Sequence, residues 1–329
     1  MEADLVTRSG LPFAAIPAAG VHGVGLKALP GNVARLVKGV SASRRILAEF
    51  RPEVILYTGG YVAVPMAVAA GKRIPSLVYV PDLEPGLALK TLIRFAHTVA
   101  VTAEPTRAFL PRRTRSVVTG YPVRADVGNW TRSQARVHLG LPQEGPVLLV
   151  TGGSKGARSI NRAVLAALPQ LLAFVSIIHL SGQLDWAEVQ TARAGLPEHL
   201  AGRYYAQPYL HEMGAALAAA DLVVSRAGAS SLGEYPMFGL PAVLVPYPYA
   251  WRYQKVNADY LVNQGAAVLL EDAALGEQLL PVAQGLINDP NRLAEMRKSM
   301  SGLARPDAAA RLADLVRELA GVQPRGGKP

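Results

Sequence analysis

A short glycine-rich stretch has the residue types that bind phosphate. An apolar run at 147–150 leads into Gly152, Gly153, Ser154 and Gly156, after which the pattern becomes helical. Glycines let the backbone approach an anion closely, while free N–H groups, the dipole of the following helix and the Ser154 hydroxyl attract it. This pattern predicts a phosphate-binding turn. The alternative is a tight strand-to-helix turn that needs glycine for its geometry alone.

A second stretch with the same layout adds a carboxylate. The apolar run at 221–224 is followed by Gly228, Ser231 and Glu234. A glutamate in the first turn of a helix can accept two hydrogen bonds from a ribose diol, and the glycine turn offers N–H groups to a diphosphate. The spacing Ser231-x-x-Glu234 also fits a capping box, in which the glutamate serves only its own helix.

A third strand end carries an amide. The apolar run at 242–245 exits into a loop that delivers Gln254, which is equally typical of a solvated helix start. In open α/β sheets, ligands bind in the crevice outside the carboxyl ends of the strands. The three strand ends together therefore predict a nucleotide-diphosphate site in the second half of the chain.

Hydride transfer is a weak alternative for this site. A dinucleotide-binding fold would carry G-x-G-x-x-G and an acidic residue at the end of the next strand, where it holds the ribose. The chain has neither, because the next strand ends in His-Leu-Ser-Gly at 179–182.

The elements that must position these residues alternate between short apolar strands and longer helical patterns. The predicted strands lie at 54–57, 76–80, 99–102 and 116–119 in the first half, and at 147–150, 175–179, 221–224 and 242–245 in the second. Continuous apolar strands are typical of parallel sheets. We predict an α/β fold with two Rossmann-like, doubly wound domains: 1–125 joined by a C-terminal helix at 306–321, and 126–305, followed by a disordered tail at 322–329.

Composition narrows the possible partners. The net charge of +10 is concentrated in residues 1–130, which hold 16 Lys and Arg against 8 Asp and Glu. This bias suits an anionic membrane surface or a phosphate-bearing substrate, although solubility alone would also explain it. Nucleic acid is disfavoured, because aromatic residues are only 6% of the chain and no interleaving of basic and aromatic residues occurs.

The absence of cysteine excludes disulfides and thiolate chemistry.

The chain resembles the MurG-type transferases over nearly its whole length. The matching stretches lie at 1–6, 58–62, 120–124, 152–161, 225–234, 239–242 and 254–258. The resemblance implies a B-type glycosyltransferase fold with an acceptor domain before a donor domain. It also implies the inverting transfer of N-acetylglucosamine from UDP-N-acetylglucosamine to an undecaprenyl-diphosphate-linked muramyl-pentapeptide, without a covalent intermediate or a cofactor. The histidines show no metal-ligand spacing, so no metal site is predicted. This reaction belongs to peptidoglycan precursor synthesis, cell-wall biogenesis, cell shape and cell division, and is carried out by peripheral proteins on the cytoplasmic face of the membrane.

The resemblance also implies roles for individual residues. Glu234 would hold the ribose, Arg124 and Ser154 would face the diphosphate, and the Leu210 backbone would meet the uracil. Gln254 would bind the sugar hydroxyls. The nucleotide would lie along five consecutive residues: Ala229, Ser230, Ser231, Leu232 and Gly233.

The chain departs from the family pattern in two places. Family members begin with a strand and a Gly-Gly-Thr-Gly-Gly-His type loop, and this sequence starts after that point, so we expect an incomplete first domain and no catalytic base from that loop. Where the family has His-Glu-Gln-Asn, the chain carries Asp82 and then Glu84. Asp82 could accept a sugar hydroxyl or, with Glu84, act as a base; both could equally cap the helix that Pro85 begins.

Three alternatives remain beside this function. A related glycosyltransferase could use the same donor half on another lipid acceptor, such as diacylglycerol. A catalytically impaired UDP-sugar-binding protein would follow from the missing loop. A UDP-sugar epimerase shares the two-domain architecture.

Overall fold

The computed structural model describes residues 3, 6, 7, 10–18, 29–249 and 252–322. The predicted tail at 322–329 therefore lies, apart from Val322, outside the described residues. Most of the matched stretch at 1–6 does so too.

The described chain alternates strands and helices. The strands are β1 (Ile55–Tyr57), β2 (Ser76–Val80), β3 (Thr98–Val101), β4 (Ser116–Val118), β5 (Val147–Thr151), β6 (Ser176–Leu180), β7 (Tyr204–Gln207), β8 (Leu222–Ser225), β9 (Ala242–Leu244) and β10 (Ala267–Leu269). The helices are α1 (Leu29–Phe50), α2 (Ala63–Ala70), α3 (Leu87–Ile93), α4 (Arg132–His138), α5 (Arg158–Ala166), α6 (Leu168–Leu172), α7 (Trp186–Ala194), α8 (Glu198–Ala201), α9 (Met213–Ala219), α10 (Glu234–Phe238), α11 (Tyr253–Asn263), α12 (Leu275–Ile287), α13 (Pro290–Gly302) and α14 (Ala308–Leu319).

These elements form two units with separate sheets. The first unit contains the described residues up to Pro81, then 85–118, and the chain from Ala310 onward. The second contains 82–84 and 119–309. The two parallel sheets confirm the predicted class of two Rossmann-like α/β domains. No helix in the described ranges is long and apolar enough to cross a bilayer.

The first unit is built on a four-stranded parallel sheet in the order β1-β2-β3-β4. β2 is buried along its whole length, which explains its uninterrupted apolar sequence. Residues of α2 and α3 pack with Val78 and Val80 on one side of this sheet, whereas Leu315 of α14 packs with Leu77 and Tyr79 on the other. Apolar side chains of helices therefore cover both faces of the sheet.

The second unit has a six-stranded parallel sheet in the order β10-β9-β8-β5-β6-β7. The chain runs from β5 outward to β7, returns to place β8 beside β5, and then runs outward to β10. Strand order therefore reverses between β5 and β8, and such a reversal opens a crevice at the carboxyl ends of the two strands. Both glycine-rich stretches of the sequence begin there.

One carboxylate ties the amino ends of these two central strands together. Asp221, immediately before β8, accepts hydrogen bonds from the backbone N–H of Val147 at 3.0 Å and from the fully buried Arg136 at 3.0 Å. Arg136 also donates to the carbonyl oxygens of Gln143 and Gly145. Arg132 and Arg297 also donate to the Asp221 carboxylate, so removing Asp221 would leave the buried Arg136 without its counter-charge and would loosen the start of the two strands.

Two edge strands were not predicted from the sequence. β7 reads Tyr-Tyr-Ala-Gln and alternates buried with half-buried residues, and β10 is only three residues long. Edge strands are short and half exposed, so neither shows the continuous apolar run of the central strands.

Candidate functional site

A cavity of about 980 Å³ opens in the second unit where the strand order reverses, at the strand ends that the sequence predicted to form a crevice. Its wall includes Thr151 and Ser225, the last residues of β5 and β8, together with the loops that follow them. This volume is that of a small-molecule site. The charged residues on its wall are Arg124, Lys155, Arg158, Arg162, Arg226, Glu234 and Asp272. Five cations against two carboxylates give the cavity a net positive charge, which favours an anionic ligand.

The first glycine loop is folded tightly against the turn that follows β6. Its turn closes through a hydrogen bond from the Gly156 N–H to the Gly153 carbonyl at 3.0 Å. Gly156 has φ +78°, and a Cβ there would overlap the Ser181 carbonyl oxygen, so glycine is required. No side chain caps α5 at Ala157. The first N–H groups of α5 are thus left to attract an anion, and the exposed Ser154 lies beside them on the cavity wall.

The second glycine loop ends in a carboxylate that faces the same cavity. Residues Ala229–Leu232 form a 3₁₀ turn, and Glu234 begins α10. The Ser231 hydroxyl donates to the Gly228 carbonyl at 2.6 Å, and the N-cap of α10 is Gly233, which has no capping side chain. The capping-box alternative for Ser231 and Glu234 is therefore wrong.

Glu234 is a partly buried carboxylate on the cavity wall. Burial raises its pKa above the ordinary value of 4.5, while Arg124 and a hydrogen bond with Ser230 act in the opposite direction. Among the residues that the structure describes, Glu234 has no bidentate partner, and a partly desolvated carboxylate of this kind gains from accepting hydrogen bonds from hydroxyl groups.

Most other residues implied by the resemblance also lie on this wall. Arg124, Gly152, Gly153, Ser154, Gly156, Leu210, Ser230, Glu234 and Gln254 line the cavity, whereas Ala229, Ser231, Leu232 and Gly233 lie in the loop behind it. The Gln254 carbonyl accepts the Tyr247 N–H at 2.8 Å. This bond fixes the orientation of the amide and leaves its NH₂ group to donate elsewhere.

Asp82 and Glu84 belong to the second unit, although the residues on either side belong to the first. Asn257 of α11 is fully buried; its amide donates to Asp82 at 2.8 Å and accepts the Leu83 N–H at 3.0 Å. Glu84 is 2% exposed, and both its oxygens accept from the Arg252 guanidinium, at 2.6 and 2.9 Å. The N-cap of α3 is Gly86, so neither acid caps that helix.

Neither carboxylate of this segment lines the cavity, and Asp82 is the less buried of the two. Burial raises its pKa above 3.8, and the hydrogen bond from Asn257 opposes that rise. Burial, and then the negative charges of Glu234 and Asp82, raise the pKa of the Tyr121 hydroxyl, so Tyr121 lies close enough to each carboxylate to interact with it electrostatically.

Sequence reasoning missed the cations that complete the cavity wall. Arg226 donates to Ser159 at 2.8 Å, is paired with Asp272, and lies 5.1 Å from the Tyr247 ring centre. Arg158 begins α5 and pairs with Asp185 at 2.8 Å. Neither pair was detectable, because the partners are separated by 46 and 27 positions in the sequence. Within the described ranges, no three His, Asp or Glu side chains gather in a way that would hold a metal ion.

Both halves of the chain match models of one family. Residues 1–101 match the glycosyltransferase family 28 N-terminal domain, and residues 147–312 match the glycosyltransferase family 28 C-terminal domain. The second match contains both glycine loops and Glu234.

Two curated relatives of the chain carry the same name. The UDP-N-acetylglucosamine--N-acetylmuramyl-(pentapeptide) pyrophosphoryl-undecaprenol N-acetylglucosamine transferase of Roseiflexus sp. (strain RS-1) is 43% identical, over 97% of this chain and 81% of the relative. Its namesake in Desulforudis audaxviator (strain MP104C) is 41% identical, over 98% and 88%. The crystal structure of Acinetobacter baumannii MurG superposes with a TM-score of 0.74 at 27% identity, over 97% of this chain and 88% of that one. The chain therefore belongs to glycosyltransferase family 28.

Proposed function

We propose that this glycosyltransferase moves N-acetylglucosamine from UDP-N-acetylglucosamine to an undecaprenyl-diphosphate-linked muramyl-pentapeptide, a step of peptidoglycan precursor synthesis. Relatives that carry this name match the chain at up to 43% identity across almost all of its length. The similarity extends through both domains, which favours a shared acceptor as well as a shared donor.

The observation that carries the donor assignment is the position of Glu234. Its partly desolvated carboxylate lines a positively charged cavity between two glycine loops, at the point where strand order reverses. There it would accept hydrogen bonds from the ribose hydroxyls, while Ser154 and the start of α5 meet the diphosphate. Arg124 would add charge, and the NH₂ group of Gln254 would donate to a sugar hydroxyl.

The transfer would proceed by direct displacement. The acceptor oxygen attacks the anomeric carbon of the sugar as its bond to the UDP oxygen breaks, and the acceptor proton passes to a base. Asp82 is our candidate for that base, because its raised pKa favours proton uptake and Glu84 is engaged by Arg252. The charge that develops on the departing UDP would be stabilised by the α5 amino end and the cations of the cavity wall.

The acceptor and the location are inferred from the first unit. Residues 1–130 carry an excess of eight positive charges, and exposed apolar side chains of this unit include Val37, Phe50 and Leu87. We propose that this surface meets anionic lipid on the cytoplasmic face of the membrane, with consequences for cell shape and division. Because Asp82 and Glu84 stand where the family pattern differs, another lipid acceptor is the second candidate.

Calorimetric titration with UDP-N-acetylglucosamine, UDP-glucose and UDP tests the donor, followed by turnover with lipid-linked muramyl-pentapeptide and with diacylglycerol. We expect preference for the first sugar nucleotide and transfer to the first acceptor. Replacing Glu234→Ala should weaken UDP binding about tenfold to hundredfold, because a charged hydrogen-bonding group contributes roughly 1.5–3 kcal/mol.

The control for this substitution is Glu295→Ala, which removes an exposed carboxylate from α13 and should leave binding unchanged. Equal affinity of the Glu234→Ala protein and the parent would contradict the ribose assignment. Transfer to diacylglycerol with none to the muramyl acceptor would replace the proposed acceptor by the second candidate.

A further inference from the structure

A buried polar network lies beneath the first glycine loop. Asn161 of α5 donates from Nδ2 to the Ser181 carbonyl and to Asp185 Oδ2, both at 2.8 Å. His179 Nε2 lies 3.0 Å from Asn161 Oδ1, and His179 Nδ1 lies 2.7 Å from the Tyr204 hydroxyl. The network therefore links α5, β6, β7 and the short 3₁₀ turn at Gln183–Asp185.

The protons in this network have one consistent arrangement. Both amide hydrogens of Asn161 are in use, so its oxygen must accept, and His179 carries its proton on Nε2. His179 Nδ1 then accepts from the Tyr204 hydroxyl. Burial lowers the pKa of His179 to about 4, which keeps the ring neutral and the arrangement fixed at neutral pH.

The network ends on an arginine at the cavity wall. Asp185 accepts from Arg158 Nε at 2.8 Å, and the Arg158 side chain is 59% exposed. Burial alone would raise the pKa of Asp185, but the hydrogen bonds from Arg158 and Asn161 lower it overall, so this carboxylate stays charged. Asp185 therefore orients the guanidinium through one nitrogen.

The terminal nitrogens of Arg158 distinguish it from Arg226, another arginine on the cavity wall. Within the described part of the chain, Nη1 and Nη2 of Arg158 make no hydrogen bond. Arg226, in contrast, is 11% exposed and uses both terminal nitrogens, on Asp272 and Ser159. A guanidinium whose terminal pair of donors is free has the geometry for two parallel bonds to one phosphate.

We propose that Arg158 is a further donor-binding residue, which contacts the diphosphate through its two terminal nitrogens, and that Asp185, held by Asn161 and His179, is its positioning residue. The inference rests on the proposed function, since it assigns an additional contact within the UDP-sugar site. The inference also gives the buried network a function, which is to hold the exposed Arg158 side chain in one orientation.

Calorimetric titration of the full chain with UDP and with uridine tests the contact with phosphate. Replacing Arg158→Ala should weaken UDP binding about tenfold to hundredfold and leave uridine binding unchanged, because uridine has no phosphate. Arg158→Lys should lose less affinity, since it retains the charge but not the fork of donors. Arg193→Ala removes the same charge from exposed α7, away from the cavity, and should change neither affinity.

A double-mutant cycle tests the positioning role. Asp185→Asn should alter UDP affinity in the parent but have no further effect when Arg158 is already alanine, because both changes act through one guanidinium. Additive effects would mean that Asp185 has only a structural role.

The outcomes separate this inference from the donor assignment. If the parent binds UDP and Arg158→Ala binds it within twofold, or loses UDP and uridine affinity equally, the contact with phosphate is refuted and the donor site stands. If the parent binds no UDP at all, both are refuted.

Discussion

At the scale of single residues, Asp82 is the side chain on which the proposed chemistry depends most. Asp82→Asn keeps the size of the side chain but removes its basicity, so we expect kcat to fall about 10²- to 10⁴-fold, the usual contribution of a general base, with little change in the KM for the donor. Burial raises the pKa of Asp82 above the ordinary value of 3.8. As the pH is lowered, activity should therefore begin to fall at a higher pH than it would with an ordinary aspartate as the base. Steady-state kinetics across pH check both points.

Glu84→Gln is the matched comparison, since it lies two residues away in the same segment and bonds Arg252 rather than a reacting group. Unchanged kcat in the Asp82→Asn protein would contradict its role as base. If Glu84→Gln lowered kcat more than Asp82→Asn did, the loss would come from disruption of the segment at 82–84 and not from removal of a base.

The sequence predicted the location of residues whose place follows from local spacing, while their roles stay predictions. Glu234 and Ser154 each stand a few positions from a glycine turn, and both line the cavity. Arg158 and Asn257 escaped prediction because their partners are distant in sequence: Asp185 lies 27 positions from Arg158, and Asp82 lies 175 positions from Asn257. Periodicity and local motifs contain no information about such pairs.

At the scale of elements, the buried His179 of β6 makes the stability of the fold depend on pH. The pKa of His179 falls from 6.5 to about 4 on folding, so between these values the unfolded chain binds a proton that the folded chain does not. Its contribution to stability is therefore complete above pH 6.5 and is lost as the pH falls towards 4, by up to about 3 kcal/mol.

Urea denaturation of the parent and of His179→Gln at pH 5 and pH 7 measures this effect. Glutamine can donate to Asn161 and accept from Tyr204 but does not titrate, so the variant should lose less stability between the two values. The same loss in both proteins would assign the pH dependence to other groups.

The sequence predicted the central strands within about one residue and missed the two edge strands. β5 and β8 are buried on both faces, so their apolar runs are unmistakable. β7 and β10 owe their conformation to pairing with β6 and β9, which is a tertiary effect. The order of the strands, and with it the reversal at which the cavity opens, was not predicted from the sequence, because no local signal specifies which strands pair.

At the scale of the whole molecule, the uneven charge predicts selective binding to lipid. We expect the chain to bind vesicles that contain phosphatidylglycerol more tightly than vesicles of phosphatidylcholine alone, and to be released by salt, because each basic residue near an anionic surface contributes about 1 kcal/mol. Reversing the adjacent, exposed Arg112 and Arg113 to glutamate should weaken this binding tenfold or more in a sedimentation assay.

Lys298→Glu, an exposed reversal in the second unit, is the control and should have a smaller effect. Equal binding to both vesicle types would remove the electrostatic basis of the proposed location.

The placement of three residues also constrains how such enzymes can be recombined. Residues 82–84 are encoded within the first half of the gene but fold as part of the second unit, where Asn257 and Arg252 hold them. A chimera that joins this donor half to a foreign acceptor half would leave the fully buried Asn257 amide without Asp82 and Leu83, at a cost of about 1–3 kcal/mol for each unsatisfied group. A chimera should therefore fold well only when residues 82–84 of this chain replace the corresponding residues of the foreign acceptor domain.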